Sequence, residues 1–164
     1  MVQIVTESVY HCSAKEFWAH HLDEESRRAK EVEGCGAVSY RVLSKQRKGK
    51  TITVRSEIVE EPDLPGPVRA MLGSTLRAEE VLRWIEGADS ATFEHTPDIM
   101  PDRLRMTGTL TVEPLKKKRC RVVLNANVRV KILGISGILE KFLASELPAR
   151  QAKAVSWFNA NVGS

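Results

Sequence analysis

The chain has 164 residues, 42% hydrophobic and 28% charged, with a formal net charge of +4. That length suits one domain, 1–164, with a real core, and so mild a positive excess does not argue for a nucleic-acid partner. No apolar run approaches the roughly 18–20 residues of a membrane span, because Ile132 to Leu139 is cut off by Glu140 and Lys141.

The start, Met1 to Tyr10, lacks the basic beginning and apolar core of a signal peptide. Three cysteines, Cys12, Cys35 and Cys120, stand at no metal-like spacing. The expectation is reduced thiols in a cytoplasmic protein.

Val2 to Tyr10 has strand character. Ser13-Ala14-Lys15-Glu16 is a capping box: the Ser hydroxyl accepts from an early helical N–H and the Glu reaches back. A short helix with Phe17, Trp18 and Leu22 follows. Asp23 caps a second, Glu24 to Val32, which stops at Gly34. After Gly36 the period changes to two, with Val38, Tyr40 and Val42 on one face. Arg47 to Lys50 turns the chain. Ile52, Val54, Ser56 and Ile58 then alternate with polar residues in a half-buried strand.

Three prolines make Glu60 to Leu72 a connection, with a helical turn at Val68 to Leu72. In the strand Thr75 to Ile85, Leu76, Ala78, Leu82 and Trp84 share a face with Glu80. A strand follows at Ala91 to Thr96, then a second connection, Pro97 to Asp102. Leu104 to Val112 and Val122 to Val130 alternate apolar and polar residues on either side of a Leu115–Arg119 turn.

The chain closes on a long helix, Ile135 to Asn161. Ile135, Leu139, Phe142, Leu143, Leu147, Ala154, Trp157 and Phe158 recur at helical spacing. Such a helix is about 40 Å long and cannot bury its stripe alone. The strands each have one apolar face, so they form one antiparallel sheet with a solvated side, curled around the helix. The fold class is α+β: a curved seven-stranded antiparallel sheet wrapped on a long C-terminal helix, with two short helices after the first strand.

That order, together with Asp63-Leu64-Pro65-Gly66-Pro67-Val68, Thr107-Gly108-Thr109-Leu110 and Ile135-Ser136-Gly137-Ile138-Leu139-Glu140-Lys141, resembles the helix-grip fold of the START / polyketide-cyclase superfamily. More narrowly, the chain resembles an uncharacterised bacterial family within it. The resemblance covers nearly the whole chain, but none of these strings is a catalytic motif. It implies an apolar small molecule or lipid held between sheet and helix. Some members are cyclases, hydrolases or steroid-binding regulators, and fold alone does not choose among them.

In a meander alternate turns share an end of the sheet. The turns at 45–50, 86–90 and 115–119 therefore lie together, and the connections 60–73, 96–102 and 132–137 lie opposite. The connections carry Leu64, Val68, Met71, Leu72, Ile99, Met100, Leu133 and Ile135. One reading is a gated mouth that admits a lipid, with transient membrane contact through loops 60–73 and 96–102. The other is that these residues tuck under and close the core. Lys116 to Arg119 reads as a solvated turn, and no interleaved aromatic residue favours nucleic acid.

Candidate ligand-binding residues are Tyr40, Val54, Trp84, Met106, Leu110, Leu139, Phe142 and Leu143, with Glu146 and Arg150 as a polar pair. On a helical wheel Glu146 and Arg150 fall inside the apolar stripe, an i,i+4 pair in the favourable order. Pro148 between them invites a kink that could swing the pair outward. The helix before Pro148 reads as the cavity wall and the part after it as structural packing.

The expected function is binding or carriage of an apolar ligand. Alternatives are a cyclase- or hydrolase-type enzyme using Glu80, His95 or Glu146, and a ligand-free interaction module. His20 and His21 diverge by about 100° on a helix, which weakens any metal site built with His11 and Cys12. Without a P-loop, a dinucleotide fingerprint or a zinc pair, no cofactor is expected.

Overall fold

The computed structural model describes residues 1–163. Strand β1, Val2–Tyr10, leads through Ser13 into helix α1, Ala14–Leu22, and Asp23 starts α2, Glu24–Ala29. The predicted N-caps form, with Glu16 N donating to Ser13 Oγ at 3.1 Å and Ser26 N donating to Asp23 Oδ2 at 2.9 Å, but the Glu16 carboxylate accepts from the Ser13 hydroxyl at 3.0 Å rather than from its backbone N–H. The second helix does not stay α-helical to Val32. It widens into a π-helical turn, Lys30–Gly34, closed by Cys35 N donating to Lys30 O at 3.1 Å.

Six strands follow: β2 Ser39–Lys48, β3 Thr51–Glu60, β4 Leu76–Ile85, β5 Ser90–Pro97, β6 Leu104–Leu115 and β7 Arg119–Val130. A short helix α3, Gly66–Leu72, stands in the proline-rich connection, and α4, Ser136–Asn161, ends the chain. The fold is the helix-grip arrangement. All seven strands form one antiparallel sheet in the order β1-β7-β6-β5-β4-β3-β2.

Period-two patterning sets the faces. In β7, Cys120, Val122, Leu124, Ala126, Val128 and Val130 are all buried, alternating with partly or fully exposed residues. In β1 the inward set is Ile4, Thr6 and Tyr10, so Val5 and Val9 face outward. Gly108 explains itself here. A Cβ at that position would lie 1.9 Å from Asn125 O, so only glycine lets β6 approach β7 so closely. Lys117 and Lys118 both have positive φ, the conformation that a tight twisted hairpin turn requires.

Helix α4 is fastened at both ends. Ser136 Oγ donates to Ile132 O at 2.8 Å and accepts from Ile132 N at 3.0 Å, tying the helix start to the segment that follows β7. At the far end Asn159 Oδ1 accepts from His11 N at 2.8 Å. Phe158 meets Tyr10 edge to face at 5.0 Å, and Gly34 gives room to Trp157. The helix therefore packs mainly against β1, β7 and the π turn. The inner face of the remaining strands is not filled by it.

Candidate functional site

The space left between α4 and the sheet is a cavity of about 230 Å³. Most of its wall is aliphatic: Ile58, Leu82, Met106, Leu110, Val122, Leu124 and Val128 from the sheet, and Leu139, Phe142, Leu143 and Leu147 from α4. Leu64, Leu72, Leu76 and Leu104 stand where the connections meet, at the mouth end. Tyr10 and Phe17 stand toward the opposite end, beside α1.

One wall is different. The α2–π-turn segment brings Arg27, Lys30 and Glu31 to the cavity, all nearly fully buried. Buried charges need partners, and most are found here. Arg27 spreads its guanidinium over both oxygens of Glu80, each at 3.1 Å, and its Nε donates to Glu31 at 2.9 Å. Arg150 reaches down from α4 to Glu31 and to Glu60 at the end of β3. The chain Glu80–Arg27–Glu31–Arg150–Glu60 thus joins β4, α2, the π turn, α4 and β3. Burial works to raise the Glu31 carboxyl, but Arg150, Arg27 and Lys30 together hold it down at about 2.

Two histidines and a lysine complete this wall. His95 lies opposite Glu80 across the β4–β5 pair, and burial pushes its imidazole below the ordinary range. His21 stacks on Phe17 at 5.3 Å, with Arg27 Nη1 at 3.4 Å from its Nε2 and Lys30 Nζ at 3.3 Å from its Nδ1. Burial, then Arg27 and Lys30, keep His21 neutral.

Of the residues singled out in the sequence, Met106, Leu110, Leu139, Phe142, Leu143, Glu146 and Arg150 border the cavity. Tyr40, Val54 and Trp84 do not. Tyr40 lies under the Arg27 guanidinium, 5.1 Å from ring centroid to Cζ, in a small cluster with Ala37, Ile58 and Ala78. Trp84 stacks on Trp18 of α1 at 5.0 Å and donates to Ala88 O at 2.9 Å. Val54, on the strand beside it, is packed into the core at the same hairpin end. Val54 and Trp84 share the inward face of the cavity-lining residues but lie too far toward the end that α1 plugs, whereas Tyr40, on the edge strand β2 beside Ile58, is covered by Arg27.

The expected Glu146–Arg150 pair is not made. Arg150 takes Glu31 and Glu60 instead, because Glu31 is buried and needs a cation more than the half-exposed Glu146 does, and the part-buried Glu60 lies beside it. The cavity wall also continues past Pro148 through Arg150, Gln151 and Ala154, so the helix does not divide there into lining and packing halves. Among the connection residues, Leu64, Val68, Leu72 and Ile135 tuck inward, whereas Met71 is 40% and Leu133 96% exposed.

Arg27, Lys30, Glu31 and Glu60 were not legible as site residues. Only the i,i+4 spacing of Arg27 and Glu31 was a signal. Among the described residues no group of three His, Cys, Asp or Glu is arranged to hold a metal ion.

Comparison with solved structures gives the same fold. TTHA0849 from Thermus thermophilus has a TM-score of 0.69 at 17% identity, covering 94% of this chain and 92% of that one. A START superfamily protein from Mycobacterium smegmatis has a TM-score of 0.65 at 14% identity, covering 93% and 92%. The Zhui aromatase/cyclase from Streptomyces sp. R1128 has a TM-score of 0.66 at 12% identity, covering 99% of both chains. At such identities the likeness speaks to fold alone. No curated protein matches the sequence. The family model described as "Protein of unknown function (DUF2505)" matches residues 6–153, and the chain belongs to that family.

Proposed function

We propose that the protein binds or carries an apolar small molecule, lipid-like in character, in the cavity between the sheet and α4. The observation that carries this reading is the cavity itself: about 230 Å³, aliphatic on most sides, with one charged wall. A natively folded interior is close-packed, so an apolar void of this size needs a reason. The volume sits below the roughly 300–1,000 Å³ of drug-sized sites, which favours one slim molecule such as a single acyl chain over a polycycle. The START superfamily fold is consistent with that use.

The experiment is native mass spectrometry of the freshly purified protein, with organic extraction of whatever travels with it. One bound molecule per chain is expected. A clean ligand-free spectrum, with no uptake of added fatty acids or alcohols, would remove the reading and leave an interaction module.

The guest enters at the connection end, and loops 60–73 and 96–102 touch a membrane transiently as it passes. The exposed Met71, with Leu133 beside the same end, supports this part of the proposal.

The enzyme alternative has one observation in its favour: Glu80 and His95 are cross-strand neighbours that both border the cavity. Against it, both oxygens of Glu80 are occupied by Arg27. Glu146 also borders the cavity and makes no ion pair among the described residues. Loss of a measured turnover in Glu146→Gln, with ligand binding intact, would favour the enzyme.

A further inference from the structure

Lys30 is the buried charge-bearing residue that the ion-pair chain leaves out. It is only 7% exposed, borders the cavity, and forms no salt bridge among the described residues, whereas Arg27 and Arg150 each hold two carboxylates. Its backbone belongs to the π turn, a distortion that departs from the regular helix and often marks a working residue. The side chain reaches past the Tyr10 and Phe17 rings, which lie 5.6 Å and 5.4 Å from Nζ and screen it from water.

The contacts of His21 bear on the state of this amine. Arginine can only donate, so the guanidinium at 3.4 Å from Nε2 makes that nitrogen an acceptor. A neutral imidazole then carries its proton on Nδ1, which points at Lys30 Nζ at 3.3 Å. An ammonium has no lone pair with which to receive that proton, but a free amine does. The Arg27–His21–Lys30 line is therefore satisfied throughout when Lys30 is uncharged.

We infer that Lys30 is a nucleophilic amine which captures an aldehyde or ketone carried on an apolar molecule, forming a reversible imine inside the cavity. This deepens the proposed function and rests on it. The Nζ lone pair adds to the carbonyl carbon and breaks the C=O π bond. One proton passes from nitrogen to oxygen, and loss of water leaves the C=N bond. Nothing is oxidised or reduced. His21, whose Nδ1 adjoins Nζ, is placed to pass the proton. The hydrocarbon part of the guest lies along the aliphatic wall toward Leu64 and Leu72.

The electrostatics agree with the geometry. Burial, then Arg27, push the Lys30 amine down to about 8, against the opposing pull of Glu31, Cys35 and Glu80. At neutral pH about a tenth of such an amine is free, against well under a thousandth of an ordinary lysine. Desolvation beside a second cation is a recognised way to make a lysine nucleophilic.

The test incubates the full chain with octanal and sodium cyanoborohydride at neutral pH and maps the octyl mass increment by peptide mass spectrometry. 1-Octanol serves as the guest without a carbonyl, its binding read by calorimetry. Lys30 is expected to be alkylated at least about tenfold faster than the exposed lysines, given its larger free-amine fraction. Added 1-octanol should slow that labelling, and Lys30→Arg should lose it while surface labelling persists. The octanol competition in the unmutated protein keeps the test decisive if Lys30→Arg folds poorly. If 1-octanol binds but Lys30 is labelled no faster than surface lysines, the imine inference is overturned and the cavity reading stands. If neither probe binds, both fall together.

Discussion

The two walls of the cavity are built on different principles. The sheet and α4 contribute an aliphatic lining in which each side chain does much the same thing. Leu110, Leu124 and Leu139 all remove apolar surface from water, and no one of them depends on another's exact identity. The α2–π-turn wall is the reverse. Arg27, Glu31, Glu80, Arg150 and Glu60 form a chain in which every buried charge is neutralised by a neighbour. Truncating one leaves others unpaired in a dry place. The aliphatic wall tolerates change and, in the proposed function, sets how much apolar guest fits. The charged wall tolerates little and fixes where a polar group can sit.

The largest effect should come from the charged wall. Arg27→Met leaves Glu80 without a cation and Glu31 with one partner fewer, and should cost about 3–5 kcal/mol in urea unfolding. The double variant Arg27→Met/Glu80→Leu should recover part of that loss, because it removes the stranded carboxylate. A loss below about 1 kcal/mol in Arg27→Met would mean that the wall is solvated and the contrast is wrong.

On the aliphatic wall, Leu124→Ala should cost about 2 kcal/mol, the low end for a buried leucine, since the site already borders open space. Its ligand uptake should persist or grow. A penalty as large as that of Arg27→Met would erase the distinction between the walls.

The charged wall also carries a pH dependence that the aliphatic wall lacks. The folded Glu31 carboxyl sits at about 2, below its ordinary 4.5, so between those values the unfolded chain binds more protons than the folded one. Its contribution is present above the ordinary value and is lost as pH falls toward the folded one. The urea midpoint of the native protein should therefore fall toward that of Glu31→Gln between about pH 5 and pH 2. A gap that stays constant over that range would contradict the ion-paired assignment.

The smallest effect belongs to the rim. Met71→Asp with Leu133→Asp should leave stability within about 0.5 kcal/mol, as exposed substitutions do. Sedimentation with phospholipid vesicles should nonetheless weaken, and unchanged sedimentation would remove membrane contact from the account.

The same contrast decides what could be read from the amino-acid sequence. The aliphatic wall is periodic. Ile52 to Ile58, Val122 to Val130 and the stripe of α4 announce their faces by spacing alone, and with them the sheet, the order of elements and the fold. Periodicity gives a face, however, and not a depth along it. Trp84 and Glu80 share one side of β4, yet Glu80 meets the cavity while Trp84 lies under Trp18 of α1. The charged wall has no period. Its pairs join residues 53, 90 and 119 positions apart, and the π turn shifts the phase of Lys30 and Glu31 against the helix before them. Arg150 looked like the partner of Glu146 because the helix is local, but the carboxylates it meets, buried Glu31 and part-buried Glu60, lie on other elements.

The proposed apolar guest occupies the space between sheet and helix. The most direct measurement is native mass spectrometry of the native chain beside Leu110→Trp, which fills the space from the sheet side, with each protein first stripped of lipid and then offered octanoic acid or 1-octanol. One guest per native chain is expected, and none, or at least tenfold weaker uptake, in a folded Leu110→Trp. Equal uptake by both proteins, or none by the native chain, would contradict it.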